Sequence, residues 1–259
     1  MSFPMPEPKL NQTPGDKSRY DQRFAGVLGE HYDLRARVMP YHEQFQDTVK
    51  DTLADFAKKH PEASILKVLE VGCGTGQTSI RILEADPRIK VVSVDTDEKL
   101  MEKAKKVLAD MADRIEFIHQ DILSVLTAMP DQSMDAMASG LTIHNFTTEY
   151  RLEVMKEVAR VLKSGGLFVN ADKYAFDDPE AHAKSLKEQI DSFEMFDTMH
   201  IPGLDIPKLK KGWVEHYQED EKTKITESEQ IKMLEDLGFK DIKVIFRESM
   251  EAVITATKK

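Results

Sequence analysis

Between residues 65 and 171 the chain alternates short β-branched runs with stretches of helical periodicity, and few folds tolerate that alternation. Ile65 to Val71, Ile89 to Asp95, Ile115 to His119, a weaker Met134 to Ser139, and Leu167 to Ala171 read as five strands. Between them lie a helix ending near Ala85, a second carrying Leu100, Ala104, Val107, Leu108 and Met111, and a third carrying Leu152, Met155, Val158 and Leu162, ended by Gly165-Gly166. Apolar strands alternating with amphipathic helices predict an α/β fold with a parallel sheet covered on both faces.

The flanks read differently. Phe45, Val49, Leu53 and Phe56 share one helical face upstream. Tyr174 to Lys222 breaks the rhythm: Ala183, Leu186, Ile190 and Phe193 fall on one helical face, followed by breaks at Pro202-Gly203 and Pro207. A helical insertion of that length after a sheet strand is suited to cap a pocket. Thr226 to Glu229 is a capping box opening a helix with Ile231, Leu234 and Leu237 inward and Gly238 at its end. Asp241 to Phe246 and Ala252 to Thr257 are two closing strands. The expected organisation is a flexible arm over residues 1–20, which hold four prolines, and a single domain over 21–259. Within it, 21–60 supply N-terminal cap helices and 174–222 the helical cap insertion.

Composition excludes several classes. No apolar run approaches the roughly 18 residues of a membrane span, and the N-terminus lacks the basic start and apolar core of a secretory signal. One cysteine, Cys73, supports neither an internal disulfide nor a multi-cysteine zinc site, which points to a reducing, cytoplasmic setting. A formal net charge of −10 argues against nucleic-acid binding through phosphate neutralisation. A homodimer is compatible with the sequence. No H-x-x-x-H or comparable spacing marks a metal site, so the expected metal content is none.

The most specific stretch is Glu70-Val71-Gly72-Cys73-Gly74-Thr75-Gly76-Gln77. Glycines between strand and helix let a ligand approach the backbone. A dinucleotide fingerprint would place its third glycine where Gln77 stands, and no G-K-[ST] follows, so neither that motif nor a phosphate-cradling loop fits. Asp95 ends the second strand, 19 residues past Gly76, where a carboxylate can accept both hydroxyls of a ribose. Asp121, after the third strand, falls at the same sheet edge and can accept from an adenine amino group.

Together these features resemble the class I S-adenosylmethionine-dependent methyltransferases. Tyr32-Asp33, Pro40-Tyr41, Leu141 to Phe146 and Leu162 to Gly166 resemble the branch of small methyltransferases related to carboxy-S-adenosylmethionine synthase. The resemblance implies a Rossmann-like sheet of seven strands with the last antiparallel, and S-adenosyl-L-methionine as cofactor. It also implies that Gly72, Cys73 and Gly74 line the methionine end, Asp95 the ribose, and Asp121 and Ile122 the adenine, with Gly76 and Thr96 also among the cofactor-binding residues. Ser139 and Gly140 would lie beneath the sulfonium, with Tyr41 reaching over the cofactor.

Methyl transfer is an in-line displacement that depends on alignment and water exclusion, which gives the cap segments a purpose. Tyr32, Tyr41, Trp213 and Tyr217 can present ring faces to a cation, or simply pack, as the four-residue spacing of Trp213 and Tyr217 also suits. His144, just after the fourth strand, is the expected general base for a small-molecule acceptor, because histidine is the side chain best matched to removing a proton near pH 7. The alternative for His144 is a hydrogen bond that shapes its loop. Three other functions compete: a carboxy-S-adenosylmethionine synthase, a non-catalytic cofactor-binding module, and an RNA methyltransferase. The first needs a late arginine, and none occurs between Arg160 and Arg247. The second would show a degraded glycine loop, and the third a basic stripe.

Overall fold

The computed structural model describes residues 27–39, 41–199 and 201–259. The arm expected over residues 1–20, and Pro40 of the Pro-Tyr pair, lie outside the described residues. The helices are α1 (Val27–Glu30), α2 (Arg35–Val38), α3 (His42–Lys58), α4 (Gln77–Ala85), α5 (Glu98–Val107), α6 (Ile122–Ala128), α7 (Thr148–Val161), α8 (Pro179–Ser192), α9 (Ile206–Asp220) and α10 (Glu227–Asp236). The strands are β1 (Leu66–Val71), β2 (Ile89–Asp95), β3 (Ile115–His119), β4 (Met134–Gly140), β5 (Leu162–Lys173), β6 (Phe239–Glu248) and β7 (Glu251–Lys258).

They form one seven-stranded sheet in the order β3-β2-β1-β4-β5-β7-β6. Strands β1 to β5 pair in parallel, and β7 runs antiparallel to both β5 and β6. The reversal is local in origin: only Ser249 and Met250 separate β6 from β7, and a connection that short can join only antiparallel strands. Side-chain alternation along β1 divides the core. Val68 packs with Phe45, Val49 and Leu53 of α3 and Ile82 of α4, whereas Leu69 and Val71 pack with the cluster of Val125, Val154 and Met155 from α6 and α7. A third cluster joins Leu28, Val38 and Met39 to Phe193, Phe196, Leu209, Trp213 and Tyr217. The N-terminal helices and the segment after β5 therefore share one apolar layer.

Several element ends and faces differ from expectation. Val107 and Leu152 are exposed, at 58% and 38%, and Ala183 is also exposed. The buried face of α7 runs instead through Arg151, Val154, Met155, Val158 and Val161. The helix stops at Val161, and Gly165-Gly166 lie inside β5 rather than ahead of it. There the ladder jumps from Met134↔Leu162 to Ala136↔Leu167, so the glycines form an irregularity within a longer strand. On α8 the buried positions are Ser185 and Gln189, because Gln189 donates to Glu251.

Candidate active site at the carboxyl edge of the sheet

Strand order reverses at β1, which is flanked by β2 on one side and β4 on the other. In open α/β sheets ligands collect in the crevice outside the carboxyl ends at such a point. Register then dictates the neighbours: Val71 lies beside Val94 and Ser139, so Gly72, Asp95 and Gly140 leave the sheet together. Asp95 Oδ2 accepts the Gly74 N–H at 2.8 Å, and Oδ1 accepts the Asp97 N–H at 2.9 Å. Burial pushes the Asp95 carboxyl up, while these backbone donors oppose the shift. Gly74 has φ +49°, and a Cβ built there would have no protein atom within 4 Å. A Cβ on Gly72 would instead stand 2.1 Å from Thr142 Oγ1, so the two glycines serve different ends.

Beneath the loop, Glu70 is fully buried and accepts from Ser79 Oγ at 2.7 Å and Ser93 Oγ at 2.6 Å; burial raises its carboxyl to about 7. The N-terminal segment closes over the loop from outside. Asp33 Oδ1 accepts from Thr75 Oγ1 and Gln77 Nε2, both at 2.6 Å, and Lys103 Nζ donates to the Gly29 and Glu30 carbonyls. Asp33, Thr75 and Gln77 were readable only as motif letters, since their pairing spans more than 40 positions of chain.

His144 sits in a 3₁₀ turn after β4 and is buried. Its Nδ1 lies 2.5 Å from Asp172 Oδ1, its backbone N–H donates to Asp172 Oδ2 at 2.9 Å, and its Nε2 faces Asp220 Oδ2 at 3.5 Å. Lys173 Nζ donates to Asp220 Oδ2 at 2.6 Å and stands 3.7 Å from the centre of the Tyr217 ring. Burial alone would raise the Asp220 carboxyl, but the Lys173 ammonium holds it well below its ordinary value. Burial draws Lys173 down, against the pull of Asp220. Next to this group Arg35 donates to Glu251 and, at 3.1 Å, to the Tyr217 hydroxyl. Tyr41 OH donates to Glu251 Oε2 at 2.8 Å.

Residues 68–166, which run from β1 into the start of β5, match the sequence profile of the family described as "Methyltransferase domain". That match falls on the glycine loop, Asp95, Asp121 and the turn carrying His144. Residues 68–166 carry a methyltransferase domain of the S-adenosylmethionine-dependent type. A carboxy-S-adenosyl-L-methionine synthase from Nautilia profundicola is 23% identical over 259 residues, covering 97% of this chain and 100% of that relative. The CurJ carbon methyltransferase structure overlays with a TM-score of 0.62 at 17% identity, covering 88% of this chain and 58% of that one. An O-methyltransferase family protein from Burkholderia thailandensis gives 0.64 at 14% identity, covering 92% and 62%. The chain thus spans about three-fifths of those two structures, and the likeness is one of fold.

Seen as a methyltransferase, the chain brings Gly72, Cys73, Gly74, Gly76, Asp95, Thr96, Ser139 and Gly140 to one edge through β1, β2 and β4. Gly76 is the N-cap of α4, and Cys73 is a buried thiol that burial pushes up. Ser139 Oγ donates to the Val71 carbonyl, and a side chain on Gly140 would collide with Thr78 Oγ1. Thr96 is exposed, and its carbonyl faces His119 Nε2 at 3.0 Å. Asp121 caps α6 through the Ser124 N–H and also accepts from Tyr150 OH, and Ile122 is buried in the core behind it. Trp213 is fully buried, stacking on Phe193 and lying 5.8 Å from Tyr32 between ring centres. The cations over the Tyr217 ring are the protein's own Lys173 and Arg35. Among the described residues no helix is long and apolar enough to cross a membrane.

The site residues that sequence reasoning missed are Asp172, Lys173, Glu251 and Arg35. Asp172 and Lys173 lie beyond the end assigned to the fifth strand, and Arg35 and Glu251 are 216 positions apart. His216 and Asp220 carried a usable signal, the i,i+4 spacing on α9, but a search for paired histidines passes over a His–Asp pair.

Proposed function

We propose that this protein transfers the methyl group of S-adenosyl-L-methionine to a small-molecule acceptor held between the carboxyl edge of β4 and the layer formed by α1, α2, α8 and α9. The observation that carries the reading is the convergence of two features on one sheet edge. These are a glycine loop braced by Asp95, with open space at Gly74, and the His144–Asp172 pair. When bound, the cofactor supplies an electrophilic methyl group on a positively charged sulfur. Asp95 holds the ribose hydroxyls with the lone pairs not used by Gly74 and Asp97, and the loop backbone approaches the methionine end. The aromatic layer excludes water. Asp172 fixes the His144 ring by Nδ1, which leaves Nε2 as the electron-pair donor that takes the acceptor's proton. A net charge of −10 favours a small acceptor over RNA.

A second reading, carboxy-S-adenosylmethionine synthesis, draws support from relatives matched over nearly their whole length. It requires a cation for the added carboxylate. Two buried cations near this wall, Arg35 of α2 and Lys173 at the end of β5, already face Glu251 and Asp220, which weighs for plain methyl transfer. Mass spectrometry of protein denatured directly after purification separates the two. Plain S-adenosylmethionine or its demethylated product is expected, and the carboxylated derivative as main ligand would reverse the ranking.

A further inference from the structure

His216 and Asp220 project from the same face of α9, four residues and one turn apart, toward the turn that carries His144. One ligand atom from each of the three side chains lies within 4.8 Å of the other two, and all three residues are buried. His216 Nε2 is 3.7 Å from Asp220 Oδ1, and His144 Nε2 is 3.5 Å from Asp220 Oδ2. We propose that His144, His216 and Asp220 form a site for one divalent transition-metal ion of the zinc, iron(II) or cobalt(II) type, beside the acceptor position.

Three independent features support it. The first is the donor set. Two imidazoles and one carboxylate on a shared face suit borderline transition metals, whereas magnesium and calcium take oxygen ligands. The second is the state of His144. Asp172 takes Nδ1, so Nε2 carries the lone pair, and this buried nitrogen makes no hydrogen bond among the described residues. A carboxylate on the far ring nitrogen is the usual partner of a metal-binding histidine, fixing its tautomer and raising its basicity. The third is electrostatic and geometric support around the carboxylate. Lys173 holds Asp220 from Oδ2, orienting Oδ1 toward His216. A closing of the ligands by less than an ångström brings them to the ~3–4 Å spacings of ligands bound at about 2.0–2.2 Å.

The ion would act as a Lewis acid on an acceptor oxygen. In the metal-loaded protein Nε2 would be a ligand, and the ion would lower the pKa of the acceptor hydroxyl enough for its proton to leave to water; in the metal-free protein Nε2 takes the proton. An acceptor with a hydroxyl or enol oxygen follows from this. The metal site depends on the chain's own donors, so it is measured without S-adenosylmethionine and its failure leaves the cofactor assignment standing.

The test titrates Co2+ into chelator-treated full-length protein. One Co2+ per chain with a visible d–d band is expected, and excess Mg2+ should not compete. His216→Gln should abolish the band. Asp172→Asn, which keeps all three ligands, should weaken Co2+ by about 10–100-fold. Should a variant fail to fold, pulsed electron paramagnetic resonance of Cu2+-loaded wild type counts the coordinated imidazoles, and two are expected. A wild type without a d–d band, a band that survives His216→Gln unchanged, or fewer than two imidazoles overturns the proposal.

Discussion

Replacing Asp95 by alanine separates a ligand-binding carboxylate from a loop brace. In the folded chain its two oxygens already accept the Gly74 and Asp97 N–H groups at 2.8 and 2.9 Å. Removing them leaves two backbone donors without their acceptor. An unsatisfied buried donor costs ~1–3 kcal/mol, and water at the loop edge relieves part of that. The cofactor-free Asp95→Ala protein should therefore lose about 1–3 kcal/mol of stability. Binding should lose more, because two ribose hydroxyls also lose a charged acceptor. Hydrogen bonds to a charged group contribute ~1.5–3 kcal/mol, so a net loss of ~2–3 kcal/mol corresponds to about 30–150-fold in affinity. Asp95→Asn keeps one oxygen and should fall between the two. Calorimetric titration with S-adenosylmethionine and thermal denaturation without it read the two quantities separately. A variant that loses stability but binds within about threefold of wild type would show Asp95 to be a brace only, and the ribose assignment would fall.

Other substitutions probe the remaining parts. Glu70 has a folded pKa of about 7 against an ordinary 4.5, so the fold favours its protonated form. That contribution is full below about pH 4.5 and disappears as pH rises through about 7, a loss on the order of 3 kcal/mol. Denaturant unfolding at pH 5 and pH 8 should show Glu70→Gln flattening this slope, and an unaltered slope would contradict the burial argument. Gly74→Ala puts a β-carbon into open space at φ +49°, so stability should fall by only ~1–2 kcal/mol while cofactor affinity drops by at least about tenfold. Equal, small effects on both would move the cofactor away from Gly74. His144→Ala should lower turnover by roughly 10²–10⁴-fold with cofactor affinity nearly intact, and Asp172→Asn should lower it by at least about tenfold through loss of the fixed tautomer. Retained turnover in single-turnover assays of either variant would place the proton acceptor elsewhere.

Local pattern was enough for most of the sheet. The β-branched runs located β1 to β4 within a residue or so: β1, β2 and β4 are largely buried and therefore mostly apolar, while β3, half-buried at the sheet edge, still carries Ile115, Phe117 and Ile118. The glycine loop and Asp95 were legible because strand, tight turn and strand-end acid are fixed over short stretches of chain, and parallel register then aligns their ends. Element ends were harder. Gly165-Gly166 read as a helix stop, but the pair is absorbed as an irregularity in β5, which a one-dimensional pattern cannot distinguish from a turn. Faces of α5 and α7 were also misjudged at Val107 and Leu152, since periodicity names a stripe and only packing says which edge of it faces the sheet.

The wall around His144 belongs to the tertiary structure. His144 was conspicuous in the sequence, but whether it shaped a loop or faced a site depended on Asp172 at the end of a longer β5, and on His216 and Asp220 from α9. Arg35, Tyr41, Gln189 and Glu251 meet from four separate segments. Apart from His216 and Asp220, one turn apart on α9, the side chains that pair here lie far apart along the chain. Sequence determined the edge around the glycine loop and Asp95 because that edge is built from strand ends and one loop, whose geometry is local. The opposite wall is built from long-range ion pairs between segments without a shared periodicity, so only the folded packing of α2, α8 and α9 on β5 and β7 decided which charges meet there.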